Sequence, residues 1–326
     1  MGKENNVLNR YLSVKYRFAD LINATVYGGR RVLDAEHLTE ISGTTYEVLE
    51  MADASKIPKR RERRNDIAMR HDDGRVYRIF LEENQASVSY NLPLRDMDYL
   101  LSGYRKQYEK IKAEHLKKGD LQTFSEKASG MGKNDRLMPI HLLWIYHGEE
   151  EWDGPRKLSD IMDFGQSGMV DAGFTDIAPH LVCLNELREF SSFHTEVREL
   201  FQALHYSKDK VGLKRLFETE KKFSHLDADT MEAISVLMHV PSLWKNRRRY
   251  MIIEEEKEGY DMCTALKDWE AEIREEMSEQ IEDANRKAAD ANRKAEDANR
   301  KAEDANQLAN RYRELLIANG IDPEGR

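Results

Sequence analysis

Residues 64–99 read RNDIAMRHDDGRVYRIFLEENQASVSYNLPLRDMDY, and the fold of the chain turns on how this stretch doubles back on itself. Residues 65–70 are short and partly apolar, residues 75–81 are β-branched and aromatic, and His71-Asp72-Asp73-Gly74 between them ends in an Asp-Gly pair. Asp-Gly between two such runs predicts a tight antiparallel hairpin, because both central positions of the favoured turn need a positive φ. With Asp73 and Gly74 as those central residues, Asp72 faces Arg75 and Asp66 faces Leu81. Alternate residues of a strand share a face, so Glu83 projects on the side of Asp66, and Gln85 with it, while Glu82 and Asn84 point away. Diagonal neighbours of this kind lie roughly 7–8 Å apart at the backbone, near enough for two carboxylates to converge on one cation.

Two acidic oxygens with open water positions suit Mg²⁺, which takes one or two carboxylates plus substrate phosphate and keeps several waters. Such an ion can generate hydroxide and stabilise phosphoryl charge. The same pattern also describes an ordinary surface hairpin, since antiparallel sheets expose one polar face.

The order Asp66, then Glu83-Asn84-Gln85, then a helix entry from Arg95 to Tyr99 resembles the PD-(D/E)XK nuclease superfamily. Within it the chain is similar to the recombination-promoting nuclease and transposase family, whose members often carry Gln where other branches carry Lys. Glu83-x-Gln85 matches that E-x-Q motif. Further landmarks are Arg17-Phe18-Ala19-Asp20-Leu21-Ile22-Asn23-Ala24, Leu92-Pro93-Leu94-Arg95, and Trp152-Asp153-Gly154 with Leu158. The likeness covers roughly the first two hundred residues. It implies a restriction-endonuclease-like αβββαβ core, an α/β (α+β) fold, with Asp66 and Glu83 as Mg²⁺ ligands, Mn²⁺ as a substitute, and Gln85 orienting the attacking water. Two departures stand out: Asn65 precedes Asp66 where the superfamily has Pro, and Gln85 lacks the ammonium charge of Lys. The metal would then have to lower the pKa of the water almost alone.

Working outward, residues 45–51 (TYEVLEM) read as a first strand, and residues 56–64 (KIPKRRERR) as a basic loop leading into the Asp66 strand. Lys59, Arg60, Arg61, Arg63 and Arg64 could hold duplex phosphates there without reading sequence, with Arg95 as a sixth contact; a plain solvated loop is the alternative. Upstream, Tyr11, Leu12, Phe18, Leu21 and Ile22 recur at helical spacing and stop at Gly28-Gly29, predicting one amphipathic helix that packs on the sheet. Asp20 on it reads as a solvent-facing acid, with a supporting place near the metal as the alternative that the resemblance implies.

Downstream, residues 94–118 read as one long helix after Pro93, which sets Arg95 and Tyr99 beside the motif. Ser129-Gly130-Met131-Gly132-Lys133 lacks phosphate-loop spacing and reads as a flexible loop. The continuous apolar run of residues 138–146 (MPIHLLWIY) is short enough for a central strand buried on both faces, and residues 181–190 read as an edge strand. Within residues 194–260, the segments 194–207, 212–223 and 227–240 have helical spacing, with Asp227 or Asp229 as caps.

Composition narrows the classes. The chain has 326 residues, a formal net charge of −9 and 34% charged residues, which argues against a protein that coats nucleic acid indiscriminately. Cys183 and Cys263 form neither a disulfide framework nor a thiolate metal site, and His141 and His147 lack ligand partners at zinc spacing, so a reducing cytoplasm is expected. A charged N-terminus and the lack of any long apolar window predict neither signal peptide nor membrane span.

Residues 282–309 repeat a heptad: EDANRKA, ADANRKA, EDANRKA, EDANQLA. Alanines at 284, 288, 291, 295, 298, 302, 305 and 309 form an a/d seam, flanked by Met277 and Ile281 before it and Tyr312 and Leu316 after it. The expectation is a coiled coil joining two copies, with a solitary charged helix as the rival, since Glu282–Arg286 and Asp283–Lys287 pairs recur at i,i+4. Three domains are expected: 1–190 nuclease-like, 191–260 helical, and 261–326 a long helix. The expected function is a metal-dependent endonuclease on double-stranded DNA, linked to recombination or transposition. A catalytically degenerate fold kept for DNA binding or scaffolding is the alternative.

Overall fold

The computed structural model describes residues 3–41, 44–50, 59–64, 67–73, 77–165, 173–254 and 257–320. The fold is mixed α/β, and the chain forms two compact units, residues 1–265 and 266–326. Its central sheet has five strands. They are β1 (Leu38–Glu40), β4 (Ile67–Asp72), β5 (Tyr77–Gln85), β6 (Ile140–Tyr146) and β7 (His180–Cys183), in that spatial order. Strand β4 runs antiparallel to both its neighbours, β1 and β5, and β6 and β7 then add parallel to β5. Between β1 and β4 the chain makes a separate two-stranded sheet, β2 (Thr44–Glu50) with β3 (Lys59–Arg64). The basic segment is therefore a paired strand over residues 59–64 and not a loop.

Burial on both faces explains the apolar run of β6. Ile140, Leu142, Trp144 and Tyr146 enter the core cluster on one face together with Leu92 and Tyr99 of α3 (Leu92–Lys118), whereas Leu143 and Ile145, of opposite parity, are buried too. On that other side, His141 stacks on Phe80 of β5, ring centroids 5.0 Å apart. The crossover from β5 to β6 is α3, which begins with Pro in its first turn and stops at Gly119 (φ 64), where a left-handed cap releases the helix, and is followed by the short α4 (Phe124–Ser129).

Two helices, α1 (Lys3–Leu12) and α2 (Lys15–Thr25), stand where one was expected. The break at Ser13-Val14 shares the apolar spacing between two axes, and Asn5 of α1 reaches the Asn84 carbonyl on β5. Between β7 and the end of the first unit lie α5 (Val197–His205), α6 (Lys210–Thr219), α7 (Ala228–Leu237) and α8 (Pro241–Lys245). A hairpin of β8 (Met251–Glu254) and β9 (Lys257–Tyr260) follows, at the end of the domain expected to be helical. Asp227 caps α7, accepting the Thr230 N–H at 2.7 Å.

Ionic contacts and hydrogen bonds fasten these later helices to α2. Arg17, only 2% exposed, meets Asp227 at 2.6 Å and Asp229 at 3.2 Å and lies 4.0 Å from the Tyr11 ring centroid. Asp20 is buried and accepts the backbone N–H groups of His194 and Thr195 and the Thr195 hydroxyl. It is thus not solvent-facing; it ties down the entry to α5. Asn23 completes the set: its Oδ1 accepts from the N–H groups of Val32 and Leu33, and its Nδ2 donates to the Leu33 carbonyl.

The second unit is carried by α9 (Met262–Ala318), a single helix of 57 residues. Among the described residues no helix is long and apolar enough to cross a membrane.

Candidate active site

Strand β5 carries the motif. Ile67 pairs with Glu82 and Asp72 with Tyr77, so the hairpin register differs by two positions from one with Asp73 and Gly74 at its centre. A shift of two leaves every side chain on its expected face. Asp66 lies outside the described residues, as does Gly74.

Glu83 is 5% exposed, and Gln85, on the same face, is half-buried. Both meet the first turn of α3. Arg95 holds a guanidinium nitrogen 3.7 Å from the Glu83 carboxylate and donates to Gln85 Oε1 at 3.0 Å. Asn84 faces the opposite way, as period two requires, and its amide donates to Asn9 Oδ1 on α1. The arrangement is held from behind by Trp144, which pairs with Glu83 across the β5–β6 ladder. Its indole lies under the Arg95 guanidinium at 4.6 Å, and its Nε1–H donates to Asp96 at 2.9 Å.

The electrostatics follow from burial. Tyr99, one turn beyond Arg95, is hydrogen-bonded to Glu83 and Arg95, and burial together with the Glu83 charge pushes its phenol up to about 12. It is a donor at neutral pH, not a base. Burial raises the Asp96 carboxyl to about 6, against the opposing effect of the Trp144 hydrogen bond. Sequence reasoning places Arg95 and Tyr99 beside the motif, as observed, and misses Asp96 and Trp144. The i,i+4 spacing of Arg95 and Tyr99 is visible in one helix, whereas the Asp96–Trp144 contact joins residues 48 positions apart.

The fit to a hard divalent ion rests on oxygens. The described residues supply one carboxylate, Glu83, and one amide oxygen, Gln85, on one strand face; among them no group of three or more His, Cys, Asp or Glu side chains gathers to hold a metal. One carboxylate, completed by water and phosphate, is the minimum that Mg²⁺ accepts from a protein. Lys59, Arg60, Arg61, Arg63 and Arg64 lie on β3, and their side chains fall outside the described structure.

The other landmarks hold the sheet margin together. Trp152 donates from Nε1 to the Gly154 carbonyl at 2.9 Å and meets the Tyr146 ring edge-on at 5.0 Å, and Asp153 accepts from the Tyr90 hydroxyl. Comparison of the chain with protein-family models, curated proteins and solved structures returns no match in any of the three.

Proposed function

We propose that the chain is a divalent-metal-dependent DNA endonuclease of the PD-(D/E)XK type. The observation that carries this reading is the sharing of one strand face by Glu83 and Gln85, with Arg95 reaching both. The element order supports it: helices, three antiparallel strands, a crossover helix, then a parallel strand, with β2–β3 as an insertion. Asp66 and Glu83 would hold Mg²⁺, or Mn²⁺ in its place. The ion when bound lowers the pKa of its water and offsets phosphoryl charge. Gln85 orients water by hydrogen bonding, and Arg95 contributes the fixed positive charge that a neutral amide lacks, 3.0 Å from it. Tyr99 keeps its proton and donates to the carboxylate edge. The cations of β3 grip duplex phosphates.

A second reading keeps the fold and drops the chemistry, leaving a DNA-binding or scaffold protein. It is favoured by the same guanidinium, which already faces the Glu83 carboxylate as a built-in cation. The two readings separate in a plasmid assay titrated with Mg²⁺ and Mn²⁺. Metal-dependent nicking that disappears in Glu83→Ala supports the nuclease. DNA retention without cleavage at any metal concentration supports the module.

We further propose that α9 joins two copies of the chain, which suits an enzyme that cuts both strands. Met277, Ile281, Tyr312 and Leu316, the large residues of its apolar seam, are all more than one-third exposed in the single chain. The a/d register puts Lys287, Lys294 and Lys301 at g and Asn285, Asn292 and Asn299 at e. A parallel pair sets each Lys against an Asn of the partner helix; an antiparallel pair sets Lys against Lys. The parallel arrangement is therefore the one proposed.

A further inference from the structure

Beyond Tyr104 the long helix α3 leaves the sheet, and the returning chain is zipped along it. Gln107 exchanges two hydrogen bonds with the backbone of Met138, and the Tyr108 hydroxyl donates to the Ser129 carbonyl at 2.8 Å. Farther out, His115 sits between Asp120 (2.6 Å from Nδ1) and Asp135 (2.8 Å from Nε2). The segment of residues 129–133, expected to be a flexible loop, is instead tied into this arm. Gly130 (φ 70) closes α4, Gly132 N–H donates to Asp135, and Lys133 N–H donates to Glu126. At 1.5 Å per residue, α3 runs about 35 Å from Arg95 to Lys118, close to one turn of duplex DNA.

The charge of the arm has the opposite sign to that of the whole protein. Residues 105–136 hold nine Lys and Arg against five Asp and Glu, in a chain whose net charge is −9. Three of those five acids are engaged inside the arm. Asp120 and Asp135 hold His115, and Glu126 accepts three backbone N–H groups in the capping of α4, which lower its carboxyl to about 2. By contrast Arg105, Lys110, Lys117, Lys118, Lys127 and Lys133 are exposed, and none of them forms an ion pair among the described residues. With three acids tied up in hydrogen bonds inside the arm and only Glu109 and Glu114 left on its surface, the exposed cations make a rail of positive charge, the footprint of a polyanion.

We propose that this arm is a phosphate-gripping rail for duplex nucleic acid, leading away from the helix turn that carries Arg95. The choice of a duplex rests in part on the nuclease reading of the Glu83 corner, but the rail itself is defined by its own charges and clasp. Phosphates spaced along a rod match cations spread over about 20 Å of helix, from Arg105 to Lys118, and over the returning segment that carries Lys127 and Lys133, better than they match a tip contact.

The test uses the full chain, a fluorescent random-sequence duplex of about three helical turns, and EDTA to prevent cleavage, with anisotropy followed over a salt series. The variant is Lys117→Ala/Lys118→Ala/Lys127→Ala/Lys133→Ala, all exposed, with its fold checked by circular dichroism. The expected result is binding at least tenfold weaker at low salt. The slope of log K against log salt should also become shallower by about 0.9 for each phosphate that the variant no longer neutralises. Unchanged affinity and slope overturn the proposal. So does a variant that loses only co-sedimentation with anionic phospholipid vesicles, which would assign the surface to a membrane. Cleavage by wild type with unaltered duplex binding in the variant removes the rail and leaves the nuclease. Rail-dependent binding without cleavage under any metal removes the nuclease and leaves the rail.

Discussion

The guanidinium of Arg95 stands 3.7 Å from the carboxylate of Glu83, which is 5% exposed, and the same side chain lies flat on Trp144. Two opposite charges are held at the edge of a core where neither is tolerated alone. Removing one partner of a buried pair costs about 3–5 kcal/mol, and the partial exposure of Arg95 puts this pair at the low end. Arg95→Ala is expected to lose about 3 kcal/mol, or roughly 6–12 °C in Tm for a unit of this size. On the nuclease reading, plasmid nicking falls on the order of a hundredfold, as when one fixed transition-state donor is removed. Thermal denaturation and the plasmid assay read the two effects separately, and an unshifted Tm would show that the pair contributes nothing to stability.

Asp96 gives the site a pH dependence of known sign. Its carboxyl is raised to about 6 by burial, so between the ordinary aspartate value near 4 and about 6 the folded state holds a proton that the unfolded state has released. Stability therefore falls as pH rises through that window, by up to about 3 kcal/mol, and levels off above it. Asp96→Asn keeps an acceptor for the Trp144 indole and removes the titration. The difference between variant and wild type in urea unfolding should grow from pH 4 to pH 6 in favour of the variant. A constant difference across that range would refute the assignment.

Asp20 is a buried acid whose hydrogen bonds join two distant parts of the chain. Its oxygens accept from two backbone N–H groups and one hydroxyl at the entry to α5, far in sequence from the helix that bears them. Hydrogen bonds to a charged acceptor are worth about 1.5–3 kcal/mol, and Asp20→Ala also leaves buried donors without an acceptor. A loss of about 3 kcal/mol is expected, with metal-dependent nicking below the melting transition unchanged per folded molecule. A nicking defect at full fold would return Asp20 to the metal.

Such contacts also mark the boundary of what the sequence discloses. The helices α3 and α9, the buried strand β6 and the Asp227 cap are legible because their signals are local: periodicity, a Pro start, a Gly stop, an acid one residue before a helix. The face shared by Glu83 and Gln85 is legible for the same reason, since period two survives a register shift of two. The register itself is not, because Asp-Gly favours a turn centred on that pair without requiring it, and Asp72 pairs with Tyr77. Nothing in the spacing around Arg17 names Asp227, 210 residues away, as its partner. That choice is made by packing, which also splits the first helix at Ser13-Val14 so that α1 and α2 can serve different neighbours.

The α9 seam tests orientation with a single substitution. In a parallel, in-register pair each a position meets its own copy, so Ile281→Cys should form a disulfide-linked dimer of the full chain under mild oxidation. Cys183 is buried, and Cys263, partly buried, serves as the background that the wild-type chain controls. An antiparallel pair sets each a position against a d position of its partner, so it would instead cross-link an Ile281→Cys chain to a Tyr312→Cys chain and leave each alone as monomer. Sedimentation of the wild type as a monomer at all concentrations would dismiss the coil altogether. A seam of alanine buries little apolar area per heptad, so Ile281→Asp at one end should by itself shift the population to monomer.

His115 offers the last test, of the clasp that holds the arm together. Hydrogen bonds to Asp120 and Asp135 raise its pKa above the ordinary value, so the folded arm binds the imidazolium more tightly than the open arm does. For a group raised on folding, the stabilisation is fully present below the ordinary histidine value near 6.5 and is lost as pH rises through the higher folded value. Amide exchange over residues 119–136, corrected for the intrinsic pH dependence of exchange, should therefore be slowest at mildly acidic pH and quicken as the medium turns alkaline. His115→Gln should remove that dependence while leaving exchange in β5 and β6 unaltered. The opening should also release Asp120 and Asp135 toward solvent and weaken the outward positive field, so duplex binding by wild type is expected to weaken over the same pH range and by the variant to stay level. Parallel pH profiles for wild type and His115→Gln would sever the clasp from the rail.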